Sequence, residues 1–215
     1  MGQMGYAVVL YPYGWRCVVV GGGRVAERRL EGLLQHTDSS VTVTVVSPTV
    51  TATIRQRAFG EQVSWLERAF EDRDLAGARL VLAATDDREL NARVAERCHA
   101  QGILVNVVDA PELGSFQVPA VVEAGELRIA VSTGGAAPAL AGELARDLEE
   151  QYREFDEYLR LLREFRTEVQ QRITDPEHRA ELLHEAVSPE LRTLVREARL
   201  DELRDRLERL LVDRG

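Results

Sequence analysis

The 215-residue chain contains no lysine; all 27 of its basic side chains are arginine. A Walker A phosphate loop needs its lysine, and so does every Schiff-base mechanism, pyridoxal phosphate attachment included, so both are excluded. There are two cysteines, Cys17 and Cys98, too few for a disulfide framework and without CxxC spacing. The four histidines, His36, His99, His178 and His184, make no HExxH pattern, so no resident metal site is expected. No apolar run approaches the roughly 20 residues of a membrane-spanning helix. The start, 1–5, lacks the basic and apolar stretches of a signal peptide, so a cytoplasmic protein without a membrane partner is expected. The excess of 36 acidic over 27 basic residues, net −9, argues against nucleic acid as a partner.

Glycine is unevenly spread. Of 16 glycines, 15 fall at or before Gly142 and the other is the terminal Gly215. The β-branched runs share the first part, whereas Leu, Glu and Arg dominate the last, so the chain changes from α/β to all-helical near 145–150. Strand-like runs at 17–20, 41–46, 63–66, 80–84 and 103–108 alternate with helical stretches. One of these carries Ala26, Leu30, Leu33 and Leu34 on one face, and another spans about 87–100. Strands separated by crossover helices predict an α/β fold with a doubly wound parallel sheet. Two further runs, 118–122 and 127–131, flank Glu123-Ala-Gly-Glu126 and read as a β-hairpin, followed by a helix over about 137–150. Beyond it, Tyr152, Phe155, Leu159, Leu162, Val169 and Ile173 recur at helical spacing. Asp175-Pro176 and Ser188-Pro189 look like helix starts, and a bundle of about four helices closes the chain.

Several residues at strand ends can carry chemistry. Gly21-Gly22-Gly23-Arg24-Val25-Ala26 lies between a strand and a helix, where glycines allow close backbone approach and the helix start favours a pyrophosphate. The bland alternative is a tight turn without a ligand. The second strand ends in Ser47-Pro48 instead of the usual carboxylate, so on physical grounds NAD and NADP both remain open. Thr85-Asp86-Asp87 ends the fourth strand and reads equally as a helix cap or as the rim of a cofactor crevice. Asp109, after the fifth strand, is a candidate proton acceptor if burial holds it poised, or else a turn residue before Pro111. Ser132-Thr133-Gly134 approaches the next helix and suits a carboxylate or phosphate.

Taken in order, these segments resemble the precorrin-2 dehydrogenase/sirohydrochlorin ferrochelatase family of sirohaem biosynthesis. The likeness rests on Val-Val-Val-Gly21-Gly-Gly-Arg-Val-Ala-Glu-Arg28, Val45-Val-Ser-Pro48, Leu82-Ala-Ala-Thr-Asp-Asp87 and Asn106-Val-Val-Asp-Ala-Pro111. It continues through Ser115-Phe116, Pro119, Ile129-Ala-Val-Ser-Thr-Gly-Gly135 and Pro138. The resemblance implies an NAD-binding Rossmann domain over 1–112, a dimerising and substrate-binding segment over 113–149 and a helical domain over 150–215. It implies NAD-dependent oxidation of precorrin-2 to sirohydrochlorin by a homodimer and, for some members, insertion of Fe2+ as a substrate metal. Carried onto this chain, it places the cofactor at Gly21–Val25, Ser47, Pro48 and Thr85–Asp87, and the catalytic carboxylate at Asp109. Thr133 falls where some members carry a phosphorylatable serine. Because the substrate carries many carboxylates, Arg128 and Arg146 are expected beside Ser132–Gly134 as its contacts. One departure is Gly-Gly-Ala-Ala-Pro138, which lacks the hydroxyl that the family often places before this proline. A different reading is a non-catalytic, NAD-sensing module whose helical tail binds a partner protein.

Overall fold

The computed structural model describes residues 5–214; positions 1–4, within the stretch read for a leader, and 215 lie outside it. The chain forms two compact units, 1–118 and 119–215. The first unit follows the order β1 (Arg16–Val20), α1 (Arg24–Gln35), β2 (Thr42–Val46), α2 (Ala52–Arg57), β3 (Val63–Leu66), β4 (Ala78–Ala83), α3 (Arg88–Ala100) and β5 (Leu104–Val107). Its five strands pair in parallel in the order β3-β2-β1-β4-β5.

Side-chain alternation along these strands builds two cores, one on each face of the sheet. Cys17, Val19, Val43, Val45, Leu80 and Leu82 point to the side covered by Ala26 and Leu30 of α1 and Ile54 of α2. Val18, Val20, Val81, Ala83, Val105 and Val107 point the other way, onto Val94, Ala95 and Cys98 of α3. Both cysteines belong to these cores, and burial pushes their thiols up, to about 11 for Cys17 and about 12 for Cys98. They are packing residues, not nucleophiles.

A 3₁₀ turn, Asp72–Leu75, links β3 to β4 around a buried carboxylate. Asp74 accepts two bonds from Arg68, at 2.5 and 2.8 Å, and one from the Glu71 N–H at 2.8 Å. Arg16, the first residue of β1, donates to the carbonyls of Asp74 and Ala76, each at 2.9 Å, and so ties the turn to the centre of the sheet.

The second unit opens with an antiparallel hairpin, β6 (Ala120–Ala124) and β7 (Leu127–Val131), and α4 (Pro138–Tyr152) packs against both strands. Four helices follow: α5 (Phe155–Arg172), α6 (Pro176–Glu185), α7 (Pro189–Arg196) and α8 (Leu200–Arg214). Asp175 and Ser188 cap α6 and α7, each ahead of a proline in the first turn, as their sequence context predicts. The buried stripe of α5 overlaps only in part with the one the spacing suggests: Val169 and the following Ile173 are buried as expected, but the rest of the stripe shifts. Tyr158, Leu161, Phe165 and Val169 are buried, while Phe155 and Leu162 lie at its margin and Tyr152 ends the preceding helix. Apolar residues occupy more than one face here, and packing on Leu203 and Leu207 of α8 selects the narrower one.

The Asp74 cluster makes a pH-dependent contribution. The Arg68 guanidinium, with help from the Glu71 N–H, holds the Asp74 carboxyl below its ordinary value despite burial. Its stabilisation is therefore complete above the unfolded value, about pH 4, and is lost as pH falls through the lower folded value. Asp74→Ala should cost about 2–3 kcal/mol at pH 7 in denaturant unfolding, and the gap to the parent should close at strongly acid pH. An equal gap at both pH values would contradict this assignment.

Candidate functional site

The first two glycines of the loop are dictated by packing. Gly21 has φ 120°, and a side chain there would overlap the carbonyl oxygen of Ala84, just beyond β4. Its N–H bonds the Val46 carbonyl at 3.0 Å, drawing the ends of β1, β2 and β4 together. A side chain on Gly22 would overlap the Thr49 carbonyl and come within 2.8 Å of the Ser47 hydroxyl, and the Gly22 carbonyl accepts from the Thr51 N–H at 3.0 Å.

Gly23 differs. It is exposed, has open space where a side chain would stand, and caps α1 with no side-chain bond. The first-turn N–H groups of α1 thus face an uncrowded surface, with Arg24 and Val25 also exposed. This cradle fits a dinucleotide pyrophosphate: the close approach is spent on protein at Gly21 and Gly22 and left free at Gly23.

Around this loop the carboxyl ends of the other strands are tightly organised. Ser47 is buried, and its hydroxyl donates to the Thr49 carbonyl at 2.7 Å while its own carbonyl accepts from Trp65 Nε1 at 2.9 Å. Pro48 is exposed at the tip. Asp87 caps α3, accepting from the N–H groups of Glu89 and Leu90 at 3.0 Å, while Asp86 is exposed beside it. Thr85 is held by Asn91: the Thr85 hydroxyl donates to Asn91 Oδ1 at 2.8 Å, and Asn91 Nδ2 returns a bond to the Thr85 carbonyl at 3.0 Å. Asn91 escaped the sequence reading. Its signal is a polar residue on the stripe that otherwise holds Val94, Ala95 and Cys98.

Asp109 follows β5, whose sheet pairing extends to a bond from the Val108 N–H to the Ala83 carbonyl at 2.9 Å. Asp109 is exposed, not buried, and has φ 62°, a left-handed conformation uncommon outside glycine. Burial is thus not what would poise it.

Gly21–Val25, Ser47-Pro48, Thr85–Asp87 and Asp109 all gather at the carboxyl edge of the sheet, where open α/β sheets take their ligands. The remaining candidates belong to the second unit. Ser132 and Thr133 lie between β7 and α4, their hydroxyls accepting from the N–H groups of Gly134 at 3.2 Å and Ala137 at 3.1 Å. Both hydroxyl protons are left to donate elsewhere. Gly134 has φ 62°, as this turn requires. Arg128 is paired across the hairpin with Glu123 at 3.5 Å, and Arg146 is exposed on α4. Among the described residues, no cluster of three His, Cys, Asp or Glu is placed to hold a metal ion, and no helix is long and apolar enough to cross a membrane.

Comparison with known proteins agrees with this geometry. The family described as "Putative NAD(P)-binding" matches residues 8–120. The chain is 41% identical over 164 residues to a siroheme synthase of Methylococcus capsulatus, covering 76% of this chain and 34% of that one. It is 36% identical over 196 residues to the siroheme synthase of Thioalkalivibrio sulfidiphilus, covering 91% of this chain and 40% of that one. The chain thus spans well under half the length of these relatives. A solved structure, SirC, precorrin-2 dehydrogenase, superposes with a TM-score of 0.76 at 29% identity, covering 95% of this chain and 99% of that one. With more than half of its length matched, and with the parallel sheet, glycine loop and open helix start described above, the chain belongs to this NAD(P)-binding family.

Proposed function

We propose that the chain oxidises precorrin-2 to sirohydrochlorin with NAD+ in sirohaem biosynthesis, with Asp109 as the proton acceptor. The observation that carries this reading is Asp109 itself, an exposed carboxylate in a left-handed conformation on the edge that also bears the glycine loop. The likeness to SirC over nearly both whole chains supports the choice of substrate.

When bound, NAD+ supplies the hydride acceptor. The exposed Gly23 and the start of α1 bind its pyrophosphate, and Arg24 adds a cation beside it. Pro48 and Thr85–Asp87 border the same edge, Thr85 being immobilised by Asn91. A hydride leaves the macrocycle with its electron pair, and a proton must leave as well; Asp109 takes that proton and releases it to solvent, to which it is open. In the second unit, Ser132, Thr133 and Gly134, with Arg128 and Arg146, are assigned to the substrate's carboxylates. Fe2+ insertion would use the same carboxylate to accept pyrrole protons, with the metal as substrate. The three functional segments are 1–112 for the cofactor, 113–149 for dimerisation and substrate, and 150–215 as the helical part. The cytoplasm is the assigned compartment, consistent with two unpaired thiols.

The reading also includes a homodimer. Val121 of β6, on the hairpin face opposite the buried Val122, is 41% exposed, and Leu140 and Leu144 of α4 are 48% and 40% exposed. Burial of these side chains against a second copy of the chain would account for their exposure, as in two-fold dimers. Sedimentation should show a dimer at micromolar concentration, and a Leu140→Glu, Leu144→Glu variant should be monomeric; a parent that sediments as a monomer contradicts this part.

Asp109→Ala should lower the rate of sirohydrochlorin formation by about 10²–10⁴ while leaving NAD+ affinity little changed. A variant with unimpaired turnover would remove Asp109 from the reaction. Gly23→Leu should fill the open space above α1 and weaken NAD+ binding substantially, measured by calorimetry, without altering the melting temperature much. Unchanged affinity would show that the cofactor binds elsewhere.

A further inference from the structure

Asp109 stands at the start of a loop, 109–116, whose return leg is bonded back onto β5. The Ser115 N–H donates to the Val105 carbonyl at 2.8 Å, and the Val105 N–H donates to the Ser115 hydroxyl oxygen at 2.8 Å. One residue on, Asn106 Nδ2 donates to the Phe116 carbonyl at 3.1 Å. Near the tip, the Leu113 carbonyl lies 3.0 Å from His99 Nε2 of α3. At Gly114 the chain passes so close that an added side chain would meet the Val105 carbonyl at 3.1 Å and the Phe116 carbonyl at 3.3 Å.

Asn106 is an unfavourable choice for stability alone. It pairs in register with Leu82 and, by alternation with Val105 and Val107, shares the face of Leu80 and Leu82. It is 4% exposed, and its Oδ1 is buried without a hydrogen-bond partner among the described residues. A buried unsatisfied carbonyl is a net cost that a leucine would avoid. What the asparagine provides is the one bond from Nδ2 to Phe116.

We infer that Asn106 and Ser115 are positioning residues for Asp109, locking the return leg so that the loop holds the carboxylate in its left-handed conformation. A left-handed aspartate is higher in energy than an extended one and persists only where its surroundings fix it. Two anchors on β5, at Val105 and Asn106, fix one end of the loop, and the strand itself, running through Val107 and Val108, fixes the other. Freed of these anchors, Asp109 relaxes to other backbone conformations and its carboxylate leaves the reacting position. The inference rests on the proposed oxidation of precorrin-2 and adds two residues to it.

The test uses the full chain with precorrin-2 and NAD+. Asn106→Leu and Ser115→Ala should each lower kcat by about 10- to 100-fold, the usual effect of misplacing a catalytic group. KM and NAD+ affinity should stay within about twofold, and Ser115→Thr, which keeps the hydroxyl, should restore turnover. In an Asp109→Ala background, Asn106→Leu should cause no further loss, because it acts only through the carboxylate. Hydrogen exchange at the Ser115 amide should quicken in Asn106→Leu. If Asn106→Leu does not fold, the comparison of Ser115→Ala with Ser115→Thr decides alone. An active parent whose variants keep full kcat, or whose double variant loses activity additively, overturns the inference while sparing the proposed function. A parent that binds NAD+ yet leaves precorrin-2 unchanged overturns both.

Discussion

The carbonyl oxygen of Ala84 occupies the space where residue 21 would carry a side chain. This contact, together with the Thr49 carbonyl lying against Gly22, brings the ends of β1, β2 and β4 together around one glycine turn. The open start of α1 at Gly23 and the position of Thr85 both depend on that closure, since each is one or two residues from it. A methyl group at 21 or 22 would have to push backbone aside, and no side-chain rearrangement can relieve that. The glycine loop is therefore first a packing device and only at its third residue an open surface for a ligand.

This division of labour sets how much the sequence could reveal. The strands were legible because β-branched runs alternate with amphipathic stretches, and the caps at Asp87, Asp175 and Ser188 were legible because each precedes a helix with the right oxygen. The cofactor loop was legible as a loop, but not the fact that Gly21 and Gly22 face protein: that depends on Ala84 and Thr49, which arrive from other strands. The buried stripe of α5 is legible only in part, at Val169 and Ile173, for a related reason. Local spacing offers more than one apolar face, and only the partner helix selects among them.

At Asp109 a position is legible without its conformation. An aspartate followed by Ala-Pro reads as a turn, and neither its left-handed backbone nor the return leg anchored at Val105 and Asn106 is announced by a local pattern. Asn91 and Asn106 make the same point. Both are asparagines on otherwise apolar faces, both are 4% exposed, and each holds a segment at the carboxyl edge of the sheet. In a sheet this apolar, a buried amide marks where the chain fixes a loop for a purpose other than stability.

Hydride removal from precorrin-2 should be coupled to reduction of NAD+ in this one protein. This coupling is tested most directly by mixing the chain with both compounds without oxygen and counting the two products. One NADH should form for each sirohydrochlorin, and none of either without the protein. Sirohydrochlorin appearing without an equal amount of NADH, or NAD+ bound while precorrin-2 persists, would contradict it.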